Sequence, residues 1–408
     1  MSRHGWYLIS TWMVCGCAGQ PQSPLVSANA KQEQAPPAVH SASSLEFERI
    51  LERKGSLFDA LLSIDRLIYP KHDLTGCRPA FEKILKGVQG EFRDRPPPVE
   101  HPVEAARLVL KSLKGQGVSS VALQRQEPEV PEPDAGFISS CVMTQKGTCM
   151  SLTVLSMAIL ESIGLSASSV EVPGHIFLTL RDGNENVPIE TTTFGAPRQG
   201  EFIPRDLPKI SRDAGWHLGY PLGKKETAWA YLVNCLGHWI PDRNKDEETC
   251  KYLLAAEKAL RGSCLSIEFS RAKIDFHRSR LKPQAASDAQ AARKRAEERL
   301  LKLHSWLPAD PGVCLTLGTL YLEVNDELSL MRLMKSFEGS NPSLEDPESI
   351  LILVMYWIKR ADSTDEEYRI KNSSEAQKGI QFIEKHVPVE ERTPDLEKAL
   401  AKLRSLAR

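Results

Sequence analysis

The feature that most constrains this chain is a change of hydrophobic period between Gln145 and Thr192. "CMSLTVLSMAILESI" places Leu152, Leu155, Ile159 and Ile163 along one helical stripe, and Gly164 stands as its stop. "SSVEV" and "HIFLTLRD" follow as short β-rich runs, and "DGNEN", 182–186, is a hairpin turn into "VPIETT". The pattern predicts a buried helix followed by an antiparallel meander, an α+β arrangement.

Chemistry-bearing residues fall at the edges of these elements. Cys149 opens the helix, where the unpaired N–H groups and the positive end of the dipole favour a thiolate and can stabilise an oxyanion. Gly147 allows backbone to approach a substrate closely. His175 follows a Pro-Gly turn at the start of a strand, where an imidazole can face a neighbouring helix tip. Glu190, on the next strand, can lie beside His175 on one face and fix the tautomer of the ring. Taken singly, each has a plainer reading: a small packed cysteine, a turn-capping histidine and a solvated carboxylate. The order and flanks favour the triad Cys149, His175 and Glu190. Gln145, four residues before Cys149, is not diagnostic as an oxyanion donor.

"KGTCMSLTVLSMAILESIGL", "VPGHIFLTL" and "VPIETT", taken in that order, resemble the transglutaminase-like superfamily of papain-type cysteine enzymes, in particular its SirB-type branch. The likeness covers about 50 residues well. It implies a helix packed on an antiparallel sheet, with Cys149 as nucleophile, His175 as general base and then acid, and Glu190 as the orienting carboxylate. Where the wider superfamily more often has Asp, this chain has Glu, so a longer side chain must reach the ring.

Around this core the chain divides into four parts. Residues 1–17 resemble a bacterial lipoprotein signal, with "WYLISTWMV" before "VCGC" and Cys17 as the lipid-accepting residue. Residues 18–44 are rich in Pro, Gln, Ala and Ser and read as a disordered linker. Residues 45–222 hold the transglutaminase-like domain, with three helices expected between Leu45 and Gly117. Residues 223–408 carry helical periodicity and no strand signals, which predicts an all-α domain. There, Leu317, Gly318, Tyr321 and Pro342 follow the order of a tetratricopeptide repeat, and Pro308 precedes Pro342 by about the 34 residues of that repeat. Leu330 and Phe337 replace its small residues, and "AAEKAL", 255–260, echoes a repeat end faintly. A degenerate helical array offers a concave surface for a protein partner; a plain supporting bundle is the alternative.

Composition excludes several classes. Lys+Arg at 52 against Asp+Glu at 53 leaves a net charge of -1, so no global field attracts nucleic acid. The basic run "ARKRAEERLLKLHSW" is interleaved with Glu297 and Glu298 and reads as a solvated helix face. No phosphate-binding glycine loop, zinc spacing or calcium loop is present, so no cofactor or metal is expected. His217 and His238 each adjoin a tryptophan and read as packed residues. If the protein is exported, Cys77, Cys141, Cys235, Cys250, Cys264 and Cys314 could pair and leave Cys149 as the odd thiol; otherwise they are small buried apolar residues.

Two functions follow as expectations. The first is a lipid-anchored cysteine enzyme of the bacterial cell envelope, in periplasm or outer membrane, performing acyl transfer or amide hydrolysis on a peptide or protein. The second is a non-catalytic lipoprotein scaffold in which the core is a relic and the helical array binds partners.

Overall fold

A computed structural model describes residues 49, 55–93, 100–121, 135–172, 175–195, 218–237, 245–260, 262, 264–280, 286–340, 342, 347–389, 392 and 394–408. The expected signal and linker, with Cys17, lie outside the described residues, as do His217 and His238. Contacts divide the described residues into two compact units, one running to His277 and a second from Arg278 to Arg408.

In the first unit, the helices with described bounds before Gly117 are α1 (Leu57–Ile68), α2 (Cys77–Glu91) and α3 (Pro102–Gly115), and Arg49 is helical as well. Two of them start where local chemistry deals with the unpaired backbone donors. Ser56 accepts from the Asp59 N–H at the start of α1, and the Glu161 carboxylate accepts from the Leu57 N–H at 2.6 Å. Pro102 opens α3, where a missing N–H costs nothing. After β1 (Ser119–Ser120) come α4 (Ile138–Thr144), β2 (Lys146–Gly147) and α5 (Cys149–Ser162). Gly164, at φ +83, stops α5: its N–H and that of Leu165 return to the carbonyls of Glu161 and Leu160.

Helix α5 is more central than one apolar stripe implied. Every residue from Met150 to Leu160 is buried. The helix packs against α1, α3, α4 and β2, against β3 (Ser168–Val172) and β4 (His175–Asp182), and against α6 (Lys224–Leu236). A helix surrounded on all sides gains by being apolar on all sides.

The main sheet has the order β5-β4-β3-β6, with β5 at Glu185–Ile189 and β6 at Pro221–Leu222. Its pairings are antiparallel: Val172 faces His175 across β3 and β4, and Asp182 faces Glu185 across the β4–β5 turn. Gly183 takes φ +58 in that two-residue turn, a conformation that favours glycine. A second, parallel pair joins β1 to β2, setting Ser120 opposite Gly147.

Helices α6 and α7 (Asp246–Ala259), expected with the helical part beyond residue 223, lie within the first unit, as does α8 (Leu265–Ser279) as far as His277. The reason is chemical. Trp229 and Tyr231 on α6 are fully buried, and the Tyr231 hydroxyl donates to Asp65 Oδ1 at 2.6 Å while accepting from the Ile138 N–H at 2.7 Å. Asp65 Oδ2 also accepts from the Ser139 N–H at 2.8 Å. One buried carboxylate thus ties α1, α4 and α6 together.

The second unit contains α9 (Ala286–Trp306), α10 (Pro311–Glu323), α11 (Glu327–Gly339), α12 (Pro347–Asp362), α13 (Ser373–His386) and α14 (Pro394–Leu406). Successive helices pack as pairs. Asp310 and Asp326 cap α10 and α11, and Asn325 makes the turn between them at φ +57. Gly318 lets α11 come close: a Cβ there would sit 3.4 Å from Leu330. Leu330 and Phe337, the two departures from the repeat pattern, are buried in this interface. "AAEKAL" lies on α7 and its C-cap, in the first unit.

All seven cysteines among the described residues remain thiols; five are buried, while Cys149 and Cys250 are half-buried. The expected disulfide pairing of the other six is therefore not present, and the small-apolar reading holds for the buried five.

Burial pushes the Asp65 carboxyl up to about 6, and the bonds from Ser139 and Tyr231 oppose that rise only in part. A carboxyl raised in the fold stabilises most when protonated, so its contribution is full below about 4 and lost as pH rises through 6. In denaturant unfolding, wild type should gain on Asp65→Asn by up to about 3 kcal/mol between pH 7.5 and 4. A pH-independent difference would contradict this assignment.

Candidate functional site

Cys149 is placed by two hydrogen bonds that β1 makes to the strand preceding it. The Ser119 N–H donates to the Gln145 carbonyl at 2.8 Å and the Val121 N–H to the Gly147 carbonyl at 2.9 Å. At the helix start the Thr148 N–H is shared between Ser151 Oγ at 2.9 Å and the Ala135 carbonyl at 3.2 Å. The backbone leading into Cys149 is thus fixed by β1, Ala135 and Ser151.

Two sequence expectations change here. Gly147 is buried, and a Cβ on it would lie 2.7 Å from Cys141 Sγ and 2.9 Å from Leu152 and Ser151. Packing against these side chains therefore requires a glycine at this position. Gln145 ends α4 in the left-handed conformation at φ +57, and its side-chain oxygen points toward Gly117. Its clearest roles are the turn it makes and the carbonyl it offers Ser119.

His175 opens β4. Its Nε2 lies 2.7 Å from Glu190 Oε2. Because a carboxylate only accepts, Nε2 carries the proton, and Nδ1 is the nitrogen left for a second partner. Glu190 follows Ile189, the last paired residue of β5, which faces Leu178. Continuing that register sets Glu190 opposite Phe177, so His175 is its diagonal neighbour on the same face. A glutamate spans that diagonal, which is how the longer residue meets the ring.

The other carboxylate oxygen is also held. Glu190 Oε1 accepts from the Thr192 N–H at 3.0 Å and from Thr192 Oγ1 at 2.7 Å. Only 1% of the Glu190 side chain is exposed, against 17% for His175. Thr192 was not singled out from the sequence; the signal was the "ETTT" run, a short hydroxyl two residues after a carboxylate at a strand end. Asp65 and Tyr231 had no local signal, since their partners are distant in sequence.

Electrostatics couples the three side chains. For His175 burial disfavours the charge, but hydrogen bonding to Cys149 and then to Glu190, with both their charges, raises the ring to about 9. For Glu190 burial again opposes the charge, and the bonds from His175 and Thr192 outweigh it, bringing the carboxyl down to about 2. The structure bonds His175 to Glu190, and interaction with Cys149 also raises the ring. An imidazole held this way can pass a proton to or from a neighbouring group.

A family model described as "Transglutaminase-like superfamily" matches residues 80–206, a span that includes Cys149, His175 and Glu190. Over that stretch the chain is similar to the transglutaminase-like superfamily. No curated protein and no solved structure matches the chain. Helices α1 and α6 lie outside the transglutaminase-like match, yet both pack on α5, so the compact unit is larger than the matched domain.

Glu190, depressed in the fold, contributes stability above about 4.5 and loses it as pH falls through about 2. His175, raised in the fold, contributes fully below 6.5 and loses it as pH rises through about 9. The stability difference between wild type and Glu190→Gln should therefore be largest between pH 4.5 and 6.5, on the order of 1–3 kcal/mol after solvent screening. It should shrink at pH 2.5 and at pH 9.5; a maximum at either extreme in urea titrations would refute the pairing.

Proposed function

We propose that the first unit is a thiol-dependent enzyme that transfers or hydrolyses an acyl group held as an amide in a peptide or protein. The observation that carries the reading is the His175 ring, bonded at 2.7 Å to a sealed carboxylate on one nitrogen and coupled to Cys149. Each member has its own task. The Cys149 thiolate attacks the amide carbon, and the oxygen that gains charge meets the N–H groups at the start of α5. The imidazolium of His175 gives its proton to the leaving amine as the C–N bond breaks, leaving a thioester and a neutral ring. Water then attacks the thioester while His175 takes its proton, and the thiolate leaves; an amine in place of water completes a transfer. Glu190 touches neither substrate nor sulfur and acts through the ring.

Half-burial of Cys149 agrees with this reading, because a nucleophile must be reached; five of the other thiols are sealed. Cys250, the other half-buried thiol, is the internal reference. With iodoacetamide at pH 6 and peptide-resolved mass spectrometry, Cys149 should label at least about tenfold faster than Cys250. His175→Ala should remove that advantage, and Cys149→Ala should leave its peptide unmodified. Equal rates at the two cysteines of the wild type would reject the enzyme reading.

We place the chain, on the same footing, in a bacterial envelope through a lipid on Cys17, supported by "VCGC" after a short apolar run and before the Pro- and Gln-rich segment. Incorporation of labelled palmitate into the expressed full chain, lost in Cys17→Ser, is the expected result. Equal incorporation by both chains, or none by the wild type, would remove the assignment.

A further inference from the structure

The proposed chemistry needs three segments held in one geometry: the start of α5, the start of β4 and the turn after β5. A single buried hydrogen-bond chain joins those same segments. We propose that Thr153 is a positioning residue whose hydroxyl, relayed to Thr191, locks the Cys149 helix to the His175 strand and the Glu190 turn. The proposal rests on the catalytic reading of those three residues.

Thr153 stands four residues after Cys149, one turn along the same face of α5. Its Oγ1 lies 3.3 Å from the Ile176 carbonyl and 3.0 Å from Thr191 Oγ1. Each hydroxyl has one hydrogen, which orders the chain: Thr191 donates to Thr153, and Thr153 donates to Ile176. Ile176 adjoins His175, and Thr191 adjoins Glu190. Both threonines are fully buried, so neither hydroxyl can exchange its partner for water without opening the core.

Among the α5 hydroxyls, Ser151 donates to the Ala135 carbonyl ahead of the helix at 2.5 Å, and Thr153 reaches β4. Ser156 and Ser162 on α5 return their protons to the carbonyls of Leu152 and Ala158, four residues back. Thr153 instead crosses to β4 and to the turn after β5. A similar bridge exists elsewhere in the unit: Ser169 Oγ and Thr227 Oγ1 are 2.8 Å apart, and Thr227 donates to the Leu222 carbonyl at 3.1 Å. That bridge ties α6 to β3 and β6 and adjoins no member of the triad, so it is a matched control.

The test is the ratio of Cys149 alkylation rates at pH 6 and pH 8, read by iodoacetamide and peptide-resolved mass spectrometry on the full chain. An isolated thiol loses about a hundredfold over that range, since thiolate falls about tenfold per pH step. The coupled wild-type site should lose less than about tenfold, and Thr153→Val should lose at least about fivefold more than wild type. Thr153→Ser, which keeps the hydroxyl, and Thr227→Val, which removes the control bridge, should keep the wild-type ratio. If Thr153→Val fails to fold, Thr191→Val cuts the link to the turn and should show the same added loss. A wild-type ratio in Thr153→Val and Thr191→Val, or an equal loss in Thr227→Val, would overturn the clamp while leaving the catalytic reading standing. An isolated-thiol ratio in the wild type itself would overturn the catalytic reading, and the clamp with it.

Discussion

The buried carboxylate of Glu190 is the constraint from which the geometry of the first unit follows. A charge with 1% of its side chain exposed persists only where donors replace water. The fold supplies an imidazole nitrogen from β4 together with a backbone N–H and a hydroxyl from Thr192. Supplying them demands that β4 and β5 keep their register and that the chain turn sharply after Ile189. The Gly195 N–H returning to the Glu190 carbonyl at 2.8 Å closes that turn. Slipping the β4–β5 register by one residue would send the His175 side chain to the opposite face of the sheet.

Asp65 shows what the same functional group does without a charged partner. Both carboxylates are sealed and both accept short hydrogen bonds, yet one is raised to about 6 and the other lowered to about 2. The donors to Asp65 are a peptide N–H and a phenol, both neutral, and they do not offset the loss of hydration. For Glu190 the hydrogen bonds from His175 and from Thr192 outweigh burial, and the charge of the ring adds to them. One fold therefore carries a carboxyl suited to holding helices together and another suited to holding a proton donor in place.

The parts legible in the sequence were those set by short-range pattern. The period change after Cys149, the stop at Gly164, the turn at Gly183 and the two strands around His175 all follow from spacing and from residues with restricted backbone preferences. What escaped depends on contacts distant in sequence. Helix α6 reads like the helices beyond it because its periodicity is the same; what assigns it to the first unit is Tyr231 meeting Asp65, 166 residues earlier. Gly147 was read as room for a substrate because it adjoins Cys149, but the atoms that require a glycine are Cys141, Ser151 and Leu152, beneath it. Thr153 was hidden for a similar reason: in an apolar helix one threonine looks like the next small residue until its partners on two strands are seen.

Burial across the site also decides from which side chemistry is reached. Beneath Cys149 the space is filled, since a single added carbon at Gly147 would collide with three side chains. Behind His175 the carboxylate is sealed and its oxygens are occupied by the ring and by Thr192. What remains open is the half-buried sulfur and the exposed edge of the ring. On the proposed enzyme reading, an acyl group arriving from solvent would meet Cys149 and His175, while Glu190 stays sealed. The arrangement keeps water away from Glu190, where competing hydrogen bonds would weaken its hold on the ring, and leaves water able to reach the sulfur.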